Sequence, residues 1–143
     1  MTPDLPTPDL RLNAILDPQH AGGLPLADLA RRVLAGGATL LQLRDKTGAT
    51  RRMVEEARAI KAVADEFGVP LVVNDRVDVA LAAGAAGVHV GWDDMEARDA
   101  RRLLGPSALI GLSINSAERA ETGPLDAVDY VGIGGVFATL SKD

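Results

Sequence analysis

The sequence predicts an α/β protein in which βα units repeat along a parallel sheet. Short Val/Leu/Ile-rich runs alternate with stretches whose apolar residues recur at helical spacing. Aromatic residues make up only 3% of a chain that is 47% hydrophobic. The core must therefore be aliphatic, as in parallel strands buried on both faces. Each strand and its helix together occupy about 20–30 residues, the spacing of βα repeats.

Residues 1–9 carry Pro3, Pro6 and Pro8 and read as a disordered lead-in, without the basic and apolar regions of a signal peptide. Residues 10–143 read as one domain. Leu12 to Leu16 is the first strand, ended by Asp17-Pro18. Pro25 suits a first helical turn, and Leu26, Leu29, Ala30, Val33 and Leu34 form an apolar stripe up to Gly36-Gly37. Thr39 to Leu43 is the second strand, followed by the loop Arg44-Asp45-Lys46. Thr50 is a candidate N-cap for a helix marked by Met53, Ala57, Ile60, Ala64 and Phe67 and closed by Gly68. Leu71 to Asp75 is the third strand. Val77, Ala80, Leu81 and Gly84 mark a short helix, and Gly87 to Gly91 is the fourth strand. Glu96 to Leu104 is helical and stops at Gly105-Pro106. Ala108 to Leu112 is the fifth strand, ending at Ser113. Ser116 to Glu121 reads as a short helix, and Tyr130 to Ile133 as the sixth strand.

Six strands alternating with five helices fit either an open doubly wound sheet or a TIM (β/α)8 barrel. A complete barrel takes about 250 residues. The 143 residues here imply an open sheet or an incomplete barrel of about six βα units.

Composition removes several function classes. The net charge is −5 and the pI about 5.0, which points away from nucleic acid and anionic membranes. The absence of cysteine excludes disulfides, thiolate metal sites and cysteine nucleophiles, and is compatible with the cytoplasm.

In both architectures ligands bind beyond the C-terminal ends of the strands. Gln42, Arg44 and Lys46 fall there, with Asn74 and Asp75, Asp94, Ser113, and then Thr139, Ser141 and Lys142. Two carboxylates from neighbouring strand ends could hold Mg²⁺, which commonly takes one or two carboxylates plus substrate phosphates. The cations would neutralise the remaining phosphate charge. Simpler readings compete. Asp75 and Asp94 stand just before helices and could be N-caps. Arg44 and Lys46 could be a solvated loop, although Gln42 and Arg44 point the same way. His89, between Val88 and Val90, reads as a core histidine with a satisfied hydrogen bond rather than a catalytic base. Gly132, Gly134 and Gly135 could cradle a phosphate or simply turn the chain. No base is visible beside Ser113, which argues against a nucleophile.

Five blocks resemble the thiamine phosphate synthase family of TIM barrels, in order and spacing. They are Gln42-Leu43-Arg44-Asp45-Lys46; Val73-Asn74-Asp75-Arg76-Val77-Asp78; Gly87-Val88-His89-Val90-Gly91-Trp92-Asp93-Asp94; Ile110-Gly111-Leu112-Ser113; and Asp129 to Gly134 leading into Thr139-Leu140-Ser141-Lys142. The resemblance implies a Mg²⁺-dependent transferase that joins an aminopyrimidine methyl diphosphate to a thiazole phosphate. Diphosphate leaves first, and the thiazole nitrogen captures the pyrimidine methyl cation. By position, Gln42, Arg44, Lys46 and Asn74 would bind the pyrimidine diphosphate, and Asp75 and Asp94 would hold Mg²⁺. Ser113 and Lys142 would contact the diphosphate, and Thr139 and Ser141 the thiazole phosphate. Catalysis would rest on Arg44, Lys46, Ser113 and Lys142.

The chain departs from the family pattern at Trp92, where glutamine is common, at Gly135 and Ala138, which replace prolines, and at Ser141, which replaces threonine. The family barrel also has two further βα units. A truncated chain with little stability or synthase activity of its own is therefore expected. The partners implied are small molecules, with a homo-oligomer admitted. A thiazole tautomerase-like barrel and an inactive remnant are the alternatives. The first would not need a pyrimidine diphosphate site.

Overall fold

The computed structural model describes residues 7–138 and Leu140. Residues 1–6 of the lead-in, and Thr139, Ser141 and Lys142, lie outside the described residues. Six strands form one parallel sheet: β1 (Asn13–Leu16), β2 (Leu40–Leu43), β3 (Leu71–Asn74), β4 (Gly87–Val90), β5 (Leu109–Ile114) and β6 (Tyr130–Ile133). Their order in the sheet is their order in the chain. A doubly wound sheet reverses its strand order at a switch point; this one does not, so the barrel-type alternative holds. β1 and β6 are the edges of the described sheet.

The sheet is curled. Leu40 on β2, Val72 on β3 and Tyr130 on β6 form one cluster with Leu109 packed against it. Strands four apart in a flat sheet lie about 19 Å from each other at ~4.8 Å per strand. A curled sheet draws Leu40 and Tyr130 toward one cluster, with Val72 and Leu109 between them. The register places Gln42 beside Val72, Asn74 beside His89, Gly111 beside Tyr130 and Ser113 beside Gly132. These residues therefore share the concave face with Leu40. The alternate residues Leu41, Leu43, Val73, Val88, Val90, Ile110 and Leu112 point outward into the larger core.

Five helices follow the strands in the described residues: α1 (Leu26–Ala35), α2 (Thr50–Phe67), α3 (Val77–Ala83), α4 (Ala97–Leu104) and α5 (Ala117–Thr122). The first four bury residues against that outer face, and α5 buries none. Leu26, Ala30 and Leu34 of α1, and Met53, Ala57, Ile60 and Ala64 of α2, are buried as their spacing predicts. Gly68 ends α2 in the left-handed region at φ 65°, where a side chain would be strained.

Four expectations need correction. Phe67 and Leu81 are 41% and 59% exposed, and Val63 and Val79 are buried instead. Phe67 is the last residue of α2, and Leu81 lies on the side of α3 turned away from the buried Val77, Val79, Ala80 and Ala83. Thr50 is the first residue of α2 rather than its cap, and its hydroxyl accepts a hydrogen bond from Arg76 Nη2 at 2.7 Å. Ser113 is inside β5, which continues to Ile114. A 3-10 turn at Leu125–Ala127 had no clear sequence signal. No described helix is long and apolar enough to cross a membrane.

Candidate active site

Parallel strands in chain order all end at one mouth, and the polar residues gather there. The loop after β2 is built by Asp45. Its buried carboxylate accepts hydrogen bonds from Thr47 N–H at 3.0 Å, Gly48 N–H at 2.7 Å and Arg52 Nη2 at 3.0 Å. Burial opposes its ionisation, but these donors outweigh it and hold the carboxyl below its ordinary range. The loop so fixed presents Lys46, whose ammonium pairs with Asp75 across the β2–β3 junction. Arg44 is not a free loop cation: its Nη1 donates to Asp17 Oδ2 at 2.7 Å, at the end of β1. Asp17 is buried and also accepts from Gln19 N–H at 2.9 Å.

Asp75 stands in an unusual backbone position. It has φ 67° and is the one non-glycine residue at positive φ among those described. Arg76 N–H donates to Asn74 O at 2.8 Å around it, while Asp75 N–H donates to His89 O at 2.8 Å. This is a three-residue turn of the rare, strained hand. The ladder bond to β4 holds it in place and turns the carboxylate toward Lys46.

Neither Asp75 nor Asp94 is a helix cap. Arg76 and Glu96 take the cap positions of α3 and α4. Asp94 Oδ2 accepts from Gly91 N–H at 2.7 Å, closing a tight turn after β4. Partial burial, together with the facing carboxylate of Asp75, raises the pKa of Asp94, and Lys46 works against that rise. Lys46, Asp75 and Asp94 thus form one electrostatic group from three successive strand ends. Among the described residues no group of three or more His, Cys, Asp and Glu side chains is placed to hold a metal; this pair has two carboxylates.

On the other side of the mouth stands a chain of three polar side chains. His89 Nδ1 lies 3.1 Å from Tyr130 Oη, and His89 Nε2 lies 2.8 Å from Ser113 Oγ. The expectation of a satisfied histidine holds. The expectation that Ser113 has no base beside it does not, because the ring reaches it from the neighbouring strand. Burial, with a contribution from Asp129, pushes the Tyr130 phenol upward and keeps it protonated. Glycine makes room for this row. A Cβ on Gly111 would overlap the Tyr130 ring and come within 2.5 Å of His89 Nδ1, and one on Gly132 would lie 3.2 Å from His89 Cε1. Gly134 N–H donates to Ile114 O at 3.0 Å, extending the β5–β6 ladder, so this amide is engaged.

Gln42 is buried on the concave face, and Asn74 ends β3 beside His89. The sequence reading passed over Asp17, Tyr130 and Asp45 as site-building residues. Asp17 did carry a signal, since it ends its strand as Asp75 does.

A family model described as thiamine monophosphate synthase (TMP-TENI) matches residues 12–143. A thiamine-phosphate synthase of Agrobacterium fabrum is 54% identical over 134 residues, covering 94% of this chain and 61% of that protein. One from Xanthobacter autotrophicus is 45% identical over 139 residues, covering 96% of this chain and 66% of its own length. Among solved structures, a thiamine phosphate pyrophosphorylase from Pyrococcus furiosus superposes with a TM-score of 0.79 at 35% identity, over 90% of this chain and 62% of that one. The chain thus spans a little under two thirds of the length of these relatives. Its curled parallel sheet and its match over residues 12–143 lead to one conclusion: the chain belongs to the thiamine monophosphate synthase family.

Proposed function

We propose that the chain serves thiamine phosphate synthesis, in which 4-amino-2-methyl-5-(diphosphooxymethyl)pyrimidine is joined to thiazole phosphate with release of diphosphate. The observation that carries this reading is the convergence of Lys46, Asp75 and Asp94 at one mouth, opposite the Ser113 hydroxyl.

Two facing carboxylates with a raised pKa on one of them suit a divalent cation, which would relieve their repulsion. Asp75 and Asp94 would hold Mg²⁺, with substrate oxygens completing its shell. The metal, when bound, supplies neutralisation of diphosphate charge. Lys46 would move from Asp75 to the phosphate oxygens, and Arg44, braced by Asp17, would add a second cation. Ser113 would donate a hydrogen bond from its hydroxyl to the departing diphosphate, with His89 fixing that hydroxyl's direction. Gln42 and Asn74, on the concave face, would bind the pyrimidine. Thr139, Ser141 and Lys142 are assigned to the thiazole phosphate and diphosphate by their place in the family motif. No strong base or covalent nucleophile is required, because the residues stabilise a leaving group and align an acceptor. The reading includes a cytoplasmic location.

Calorimetry with the pyrimidine diphosphate tests it. Binding that needs Mg²⁺ and is lost in Asp75→Ala supports the reading. Silence at millimolar ligand, with the chain folded, overturns it.

A further inference from the structure

Trp92 is the single tryptophan of the chain, and it is 37% exposed at the mouth. It belongs to the turn that Asp94 closes on Gly91. Its indole Nε1–H crosses to the next strand and donates to the Ser113 carbonyl at 3.0 Å. The Arg119 guanidinium lies over the ring, 4.8 Å from its centroid, within the range of a cation–π contact. Arg119 is itself fixed: its Nη1 donates to Asn115 Oδ1 at 2.9 Å and its N–H to Ser116 Oγ at 3.2 Å.

Ser113 is thus fixed beyond its place in the β4–β5–β6 ladder. His89 holds its side chain, and Trp92 engages its carbonyl from the turn that carries Asp94. We infer that Trp92 is a positioning residue that fixes the Ser113 hydroxyl relative to the Asp75/Asp94 pair, so that one diphosphate can meet both sides of the mouth. The inference rests on the function proposed above, in which these groups share an anionic ligand. Trp92 acts through Ser113 and Asp94 and touches no reacting atom. Arg119 keeps the indole edge aimed at the carbonyl.

Inorganic diphosphate with Mg²⁺ is the probe, titrated by calorimetry into the 143-residue chain. Trp92→Phe keeps an aromatic ring and removes the N–H donor. It should weaken diphosphate binding about fivefold, the scale of one hydrogen bond. In the Ser113→Ala background the same substitution should change affinity less than about twofold, because the group it positions is gone. A merely structural role would give the same loss in both backgrounds, and that result overturns the inference, as does unchanged binding in Trp92→Phe. Trp92 fluorescence in the unaltered chain gives a second reading that does not depend on a variant folding. Emission should shift as the diphosphate saturates, and saturation by calorimetry with no change in emission overturns the inference. Absence of binding by the unaltered chain overturns the functional reading and this inference with it, whereas binding that is intact in Trp92→Phe sinks only the latter.

Discussion

His89 Nε2 and Ser113 Oγ, on adjacent strands, lie 2.8 Å apart. The contact depends on glycine behind it, because Gly111 leaves the space that the His89 and Tyr130 rings fill. Gly111→Ala forces a methyl group into the Tyr130 ring. It should destabilise the chain by about 1–3 kcal/mol, the cost of overpacking a core. Urea denaturation measures this. An unchanged midpoint would show that the row has slack the geometry does not suggest.

Tyr130→Phe removes only the hydroxyl facing His89 Nδ1. One polar atom of a buried imidazole then loses this partner. We expect a loss of about 1 kcal/mol in unfolding free energy, read from the same titration. A neutral result would mean that water replaces the phenol.

Asp75 separates a backbone effect from a charge effect. Asp75→Gly and Asp75→Ala both delete the carboxylate that pairs with Lys46. Only glycine is at ease at φ 67°. The glycine variant should be about 1 kcal/mol more stable than the alanine variant, and both should fail to bind Mg²⁺ with diphosphate. Equal melting temperatures would argue that the turn relaxes in solution.

Asp94→Asn keeps an acceptor for Gly91 N–H and removes the charge facing Asp75. In the absence of Mg²⁺ the variant should gain about 1 kcal/mol of stability while losing Mg²⁺-dependent binding. A variant less stable than the parent would contradict the repulsion assigned to the pair.

The response to acid contains opposing parts. Asp17 and Asp45 have folded pKa values below the ordinary 3.8. For Asp17, as for Asp45, burial works the other way and hydrogen bonds from backbone N–H groups and an arginine prevail. The native state therefore binds fewer protons than the unfolded chain in that window. Their stabilisation is complete above 3.8 and is lost as pH falls through the lower folded values. Asp94 is raised, so its contribution has the opposite sign: stability falls as pH rises from 3.8 through its folded pKa. A melting series from pH 2 to 7 should show a steep loss on the acid side that shrinks in Asp17→Asn. The shallower decline above pH 4 should lessen in Asp94→Asn, leaving the part that belongs to Glu56, whose carboxyl pKa burial also raises. A flat acid limb would remove the role given to Asp17 and Asp45.

The residues themselves wrote much of this fold and site. Short apolar runs bounded by turn residues located the six strands, and the 3.6-residue period the five helices, to within a residue or two, because both signals are local to the chain. Parallel strands must finish on one side, so the residues after them, Lys46, Asp75 and Asp94, were legible as neighbours from chain order alone. The lateral relationships were not. Whether the sheet curls, and hence which residues of β2 and β6 share one cluster, depends on strand order and twist accumulated over the whole sheet. Register between β4, β5 and β6 decided that His89 lies between Tyr130 and Ser113, a relationship that spans 41 residues on one side and 24 on the other. Asp17 reached Arg44, and Trp92 reached Ser113, across strand junctions. A linear pattern records which face a side chain takes; the tertiary structure alone chose its partner, since partner choice is set by packing between segments that sequence spacing does not connect.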